Sequence, residues 1–332
     1  MIPYGQSAER VRHLMMELWK DTFHDSDRYI RLVFDAYFSP DNVYVRMDGE
    51  KLIAALLCVP YGFRSVAADG SDTMLRGMYL CGLATRLECR GRGIMSALMK
   101  EAEADIADRG YDMTFLIPAD SGLRAYYARM GYFNASYRDV ENIGFSEMEV
   151  KYSIHSIKRL LERGEIGLIG IGKVAQWCVE RERERIEPTM LHSVSDMVVV
   201  MAENENSFFL TDPSDDPEYS NLVNVTKNIK AVVFPDAIPG SECDVSIAGI
   251  YFRRCDYEIG AGSQEPIIPE KLRSILHKIF PSGKLSYLCP VQSLLLHAND
   301  RVEPYAMIKY LRGEDKSGKE YDKIFNISLM LD

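Results

Sequence analysis

The stretch C-G-L-A-T-R-L-E-C-R-G-R-G-I-M-S, residues 81–96, governs how the rest of the chain is read. Its first half continues an apolar run from Met74 to Thr85, which predicts a strand buried on both faces. Its second half alternates arginine with glycine from Arg90 to Gly93 and then passes into a helical pattern. Ile94, Leu98, Ala102 and Ile106 recur every fourth residue, so a helix over 93–108 lays one stripe against a sheet. A helix start leaves backbone N–H groups without intrahelical partners, and its dipole favours an anion, most often a phosphate. Arg90 and Arg92 add charge and forked donors at the same place. The turn is expected to hold the diphosphate of a coenzyme.

Outward from this turn, the order of elements narrows the choice of coenzyme. Residues 8–22 and a second segment following Asp25-Ser26-Asp27 read as amphipathic helices, the second stopped at Ser39-Pro40. V-Y-V-R-M turns at Asp48-Gly49-Glu50 into L-I-A-A-L-L-C-V, a hairpin signal. A further strand is expected over 61–67. After the glycine turn and its helix, 112–117 reads as a short buried strand parallel to 74–85. A short helix over 121–130 ends at Gly131-Tyr132, and strands continue to about residue 150. A Rossmann unit would open with a strand and place G-x-G-x-x-G directly after it; here Ser96 replaces the third glycine. No G-x-x-x-x-G-K-[ST] is present, which excludes a P-loop.

The bulk of the chain restricts the partners. At 332 residues it is long enough for more than one domain. Its 49 acidic against 39 basic residues, net charge -10, argue against a nucleic-acid or anionic-membrane binder. Seven cysteines without a C-x-x-C pair predict reduced thiols, as in a cytosol, with Cys58 and Cys81 in the core. The six histidines form no H-x-x-x-H pattern, so no metal site is expected; His13, His24 and His155 read as surface or capping residues. Neither a signal peptide nor a membrane span is read, and a soluble cytoplasmic protein is expected. The run Glu180-Arg181-Glu182-Arg183-Glu184-Arg185 alternates charge and reads as an exposed face or a linker helix.

With that order of elements, Arg90-x-x-Gly93 and Ala125-Tyr126-Tyr127-Ala128-Arg129-Met130-Gly131-Tyr132 resemble the signatures of the GNAT superfamily of acyl-CoA N-acyltransferases. Among them, R-G-R-G-I-M-S-A-L-M and the later F-L-I-P-A-D look like Eis-type (enhanced intracellular survival) and related bacterial acetyltransferases. The resemblance implies an α/β (α+β) GNAT fold with a central mixed, mostly antiparallel sheet. It implies acetyl-CoA as cofactor, with Leu83, Ala84 and Thr85 along the pantetheine and Arg90, Gly91, Arg92, Gly93, Ile94, Met95 and Ser96 around the diphosphate. Tyr127 matches the family's general acid, and Tyr126 its aromatic packing position. One departure stands out, because Met95 occupies a slot that usually holds a small residue.

The implied activity is direct transfer of an acetyl group to an amine, either a small molecule or a peptide; a homo-oligomer is compatible with it. The alternative is a non-catalytic acyl-CoA-binding module on the same fold. Three segments are expected: 1–150 as the GNAT domain, 151–265 as a second α+β domain of degenerate GNAT-like form, and 266–332 as a helix-strand segment. Eis-type enzymes end in a sterol-carrier-like domain whose terminal carboxylate reaches the active site, which makes Asp332 a candidate. The other reading of the terminal I-F-N-I-S-L-M-L-D is an edge strand completing a sheet. In the second half, helices are expected over 153–163 and 269–280, and a strand-turn segment over 164–172. Residues 191–201 fit helix or strand. Strands are expected over 222–225, 230–234, 245–253, 305–311 and 324–331.

Overall fold

The computed structural model describes residues 2–3, 5–66, 71–142, 152–185, 189–212, 226–237, 244–252, 270–281, 284–289 and 302–311. The chain forms two compact units that follow the path of the strands, not a single cut in the sequence. One comprises Met1–Phe63, Thr73–Ala135 and Ala306–Asp322; the other comprises Arg64–Asp72, Ser136–Tyr305 and Lys323–Asp332. No helix among the described residues is long and apolar enough to cross a membrane.

The first unit opens with α1 (Ala8–Phe23) and α2 (Asp27–Tyr37). Each starts at a serine whose hydroxyl accepts a backbone N–H, Ser7 from Arg10 and Ser26 from Tyr29. β1 (Val43–Asp48) turns through Gly49 into β2 (Lys51–Val66). This strand runs straight through Pro60, so two expected strands are one. Then come β3 (Asp72–Thr85), α3 (Ile94–Asp108), β4 (Met113–Leu116), α4 (Ser121–Ala128) and β5 (Phe133–Asn134). The sheet runs β1-β2-β3-β4-β14-β5, where β14 (Met307–Tyr310) arrives from late in the chain. β3 and β4 are parallel, while β14 is antiparallel to both of its neighbours. On one face of the sheet, Leu98, Met99, Ala102 and Ile106 of α3 pack with Ala54, Leu56, Met78, Leu80, Leu116 and Met307. The fourfold spacing read in the sequence is the buried stripe of α3.

The second unit takes β6 (Tyr137–Asn142), the strand that follows β5 in the chain. After it come β7 (Ser153–Ser156), α5 (Ile157–Glu162), α6 (Leu168–Arg183), β8 (Thr189–Leu191), α7 (Val194–Glu203), β9 (Phe208–Thr211) and β10 (Ala231–Pro235). β11 (Val245–Phe252), α8 (Glu270–Ile279), β12 (Lys284–Cys289) and β13 (Val302–Pro304) complete it. Its sheet runs β13-β6-β12-β11-β10-β9-β7, with β11 and β12 parallel and β6 antiparallel to both β12 and β13. In both sheets, then, the far member of a parallel pair is followed by a strand from elsewhere in the chain.

Several expectations for this half need correction. Residues 153–156 are strand, because Ser153–Ser156 pair with Phe208–Thr211, and the helix begins only where Ser156 caps it. The segment 164–172 is not strand-turn: from Leu168 it is α6, whose apolar face continues through Val174, Ala175, Cys178 and Val179. Residues 194–203 are helix because Ser193 and Asp196 form a reciprocal capping box. The charge run 180–185 is exposed only in part: Glu180, Arg183 and Glu184 are exposed, but Glu182 is fully buried and receives bonds from His192 and Tyr251. His155 is likewise no surface group, being stacked on Phe209 and bonded to Thr211. The strands expected over 222–225 and 324–331, and Asp332, lie outside the described residues.

Candidate acyl-coenzyme site

The site is built where β3 outruns its parallel neighbour. The two strands pair at Gly77–Met113, Met78–Thr114 and Tyr79–Phe115, and β4 ends at Leu116 while β3 continues to Thr85. Leu83, Ala84 and Thr85 thus lie on an overhang beyond the paired register. Gly82 stands within it at φ 58°, in the left-handed region. A Cβ added there would lie 2.2 Å from the Trp19 ring of α1. Trp19 is held by its indole N–H, which donates to Asp25 Oδ2 at 2.7 Å. Glycine is therefore required twice, by the backbone angle and by the aromatic wall. Neither Gly82 nor Trp19 was singled out from the sequence, although a glycine inside an apolar strand is a signal for a bulge or a close approach. Cys81, expected in the core, is only half-buried here, with its Sγ 3.6 Å from the Leu57 carbonyl.

Past Thr85 the chain is braced tightly. Arg86 donates from its backbone to Ile53 O at 2.9 Å and from Nε to Leu52 O at 2.7 Å. A 3₁₀ turn at Leu87–Cys89 follows. Arg90 Nε donates to Thr85 O at 2.9 Å, and Arg92 Nη2 donates to Glu88 O at 3.1 Å. Each guanidinium carries five N–H donors, so a single brace leaves several for a ligand. Glu88 itself is exposed and paired with Lys51 at 2.5 Å.

Gly91 and Gly93 have φ of 76° and 72°, and a Cβ at either would meet nothing within 4 Å. These glycines serve the backbone path and border open space. At the start of α3 no side chain caps the helix, and its first turn holds no acid. The first helical N–H to reach an acceptor within the helix is that of Ala97, on Gly93 O. By contrast α1, α2, α4, α5 and α7 are each capped by a serine or aspartate. The N–H groups of Ile94, Met95 and Ser96 are thus left for an external acceptor. Uncapped donors, two braced arginines and open space together fit a diphosphate. The Met95 side chain packs against the buried cluster, so the larger residue there does not cost the cradle its backbone donor.

α4 approaches the same region. Asp120 caps it by accepting from Leu123 N at 2.7 Å, which makes this carboxylate a structural group. The Tyr126 hydroxyl lies 2.8 Å from Ser96 Oγ, tying α4 to the first turn of α3. Tyr127 is 6% exposed, with its ring edge-on to Tyr126 at 5.1 Å and to Tyr132 at 6.0 Å. Its hydroxyl takes no hydrogen-bond partner among the described residues. Burial first, and then the neighbouring Tyr126 and Asp120, push its pKa up to about 12. It therefore keeps its proton at neutral pH. Leu83, Ile94, Met95 and Tyr126 flank the cluster that contains Tyr127, so strand end, cradle and tyrosine helix meet on one face of one unit.

An overhanging strand, a glycine-bordered helix start and a buried tyrosine thus lie together on a mixed sheet. The profile of the GNAT acetyltransferase domain matches residues 7–135. Among solved structures, the chain is similar to a probable N-acyltransferase from Enterococcus faecalis V583, at 14% identity, covering 92% of this chain and 71% of that one, with a TM-score of 0.58. A GCN5-related N-acetyltransferase from Anabaena variabilis ATCC 29413 is 11% identical, over 92% and 71%, with a TM-score of 0.57. Eis1 from Mycobacterium abscessus is 13% identical, over 92% and 72%, with a TM-score of 0.54. At such identities the likeness is one of fold, and it extends over both units. No curated protein matches the chain.

Proposed function

We propose that the protein is an N-acetyltransferase that binds acetyl-CoA in its first unit and passes the acetyl group directly to an amine. The observation that carries this reading is the uncapped, arginine-flanked start of α3 at the end of the β3 overhang. When bound, the coenzyme supplies an activated acyl thioester. Backbone N–H groups of residues 91–96 and the free donors of Arg90 and Arg92 take the diphosphate. Leu83, Ala84 and Thr85 offer the overhang's peptide groups to the pantetheine amides, and the N–H near Ala84 stabilises oxyanion charge. Tyr127 donates its proton to the departing sulfur; what supports the role is a hydroxyl that takes no partner among the described residues and that burial keeps protonated at neutral pH. The acceptor is a small-molecule or peptide amine. The second unit, with no second R-x-x-G-x-G in its sequence, serves as a degenerate GNAT-like companion.

Two measurements test the proposal in turn. Acetyl-CoA at a hundredfold excess over Kd stabilises the native state by about 2.7 kcal/mol, read as an upward thermal shift; no shift sinks the cofactor assignment. With an amine panel, Tyr127→Phe lowers kcat about 100-fold while leaving the acetyl-CoA shift intact. A full thermal shift with no turnover on any amine returns the chain to the class of acyl-CoA-binding modules.

A further inference from the structure

We propose that Lys309, delivered by the late strand β14, is a positioning residue for Tyr127; the inference rests on the general-acid reading above. Lys309 Nζ lies 2.5 Å from Glu103 Oε2, on the sheet-facing side of the cofactor helix α3. The Glu103 side chain is 7% exposed and that of Lys309 25%. A carboxylate so enclosed needs a compensating cation and filled lone pairs. Its other oxygen, Oε1, accepts the Tyr132 hydroxyl at 2.8 Å. With that proton committed to Glu103, Thr114 Oγ1 of β4 is left to donate to the Tyr132 oxygen, 2.9 Å away.

The Lys309 stem does more than carry the charge. Its Cε and Cδ lie 3.7 and 3.9 Å from where a Cβ on Gly131 would stand, and its Nζ is 5.7 Å from the centre of the Tyr132 ring. Lys309 thus clamps the Gly131-Tyr132 end of the tyrosine segment from outside while its ammonium fixes Glu103 inside. Tyr132 is the link to the acid: its ring meets Tyr127 edge-on at 6.0 Å, and its backbone N–H donates to Tyr127 O at 3.2 Å. The line Lys309, Glu103, Tyr132, Tyr127 joins a residue from the end of the chain to the group that must aim a proton. A displacement of about 1 Å at such a group costs on the order of 100-fold in rate.

Lys309→Met keeps the stem and removes the charge, and Lys309→Arg keeps the charge. Two readouts follow. In protein labelled with ¹³Cζ tyrosine, the Tyr127 resonance, assigned by its loss in Tyr127→Phe, is expected to be single in the wild type and in Lys309→Arg. It is expected to shift or split in Lys309→Met, and an unmoved resonance overturns the proposal without any assay of turnover. In kinetics, Lys309→Met lowers kcat about 10-fold with the KM for acetyl-CoA within twofold. In a Tyr127→Phe background the same change adds nothing, because its effect runs through Tyr127. Losses that multiply instead assign Lys309 a merely structural role and overturn the proposal while leaving Tyr127 as the acid. If Tyr127→Phe turns over at the wild-type rate, the acid reading falls and this proposal falls with it. Should Lys309→Met not fold, Glu103→Gln with Lys309→Met removes both charges and is read by the same resonance.

Discussion

Gly82 concentrates two demands in one residue, a left-handed backbone and contact with the Trp19 ring. Gly82→Ala meets both penalties, about 1–2 kcal/mol for the backbone alone and a collision with a held indole in addition. Its melting temperature is expected to fall, and its acetyl-CoA shift to shrink with it, since the overhang is deformed; an unaltered protein by both measures refutes this role. The sequence displays such residues unevenly. Gly91 and Gly93 are conspicuous because they alternate with Arg90 and Arg92, and Tyr127 because it sits in a motif. Gly82 is masked by the apolar run around it. Glu182 is hidden more deeply, since its burial depends on partners from α6, β11 and the loop before α7 that meet only in three dimensions.

Glu182 and His192 also give the protein a signed response to pH. Burial alone would push the His192 imidazolium's pKa down, but the Glu182 carboxylate 2.6 Å away outweighs it, and the pKa stands above its ordinary 6.5. For Glu182, burial pushes upward, and the charge and hydrogen bonds of His192 bring the pKa below its ordinary 4.5. The raised histidine contributes stability that is whole below pH 6.5 and is lost as pH rises through its folded value. The depressed glutamate contributes stability that is present above pH 4.5 and is lost as pH falls through its folded value. The pair therefore supports the fold most between those limits. Urea unfolding at pH 6 and pH 9 should show wild type losing more stability at pH 9 than a Glu182→Gln/His192→Gln variant; equal losses contradict this.

At the scale of elements, α3 and α6 both start at a glycine with no side-chain cap, whereas α1, α2, α4, α5 and α7 are capped by serine or aspartate. A helix that starts without a cap gives up about 1 kcal/mol, which is tolerable where a ligand later fills the vacancy. What holds α3 in its place is contact with α4 through Ser96 and Tyr126, together with its buried stripe. Tyr126→Phe should cost about 0.5–1.5 kcal/mol in chemical denaturation and loosen the cradle, weakening acetyl-CoA binding several-fold without the kcat loss of Tyr127→Phe. Elements with strong periodicity, α1, α2, α3 and the β1–β2 hairpin, were legible because local pattern and tertiary burial agree. The strand β7 was not, because its helical-looking residues are fixed by pairing with β9, half a hundred positions away.

For the whole molecule, the decisive feature is the placement of β6 and β14. β5 has β14 between itself and β4, and β12 has β6 between itself and β13. No sequence pattern announces such pairing, since β14 reads as an ordinary strand and its partners lie in the first half of the chain. A fragment of residues 1–150 lacks β14, so β4 and β5 have no strand to join them and Glu103 no ammonium. It is expected to show no cooperative thermal transition by circular dichroism, whereas the full chain does. A fragment that melts cooperatively and binds acetyl-CoA disproves the requirement.

The same placement sets a clock on biosynthesis. Residues 1–135 leave the ribosome long before residue 307 is made, and at ordinary elongation rates the gap is roughly 10–35 s. For that time the nascent first sheet presents two raw strand edges where β14 will later lie. Vectorial folding, in which a leading domain matures before its successor emerges, is thus closed to this chain. The turn proposed as its coenzyme cradle is among the first parts translated and among the last to be finished.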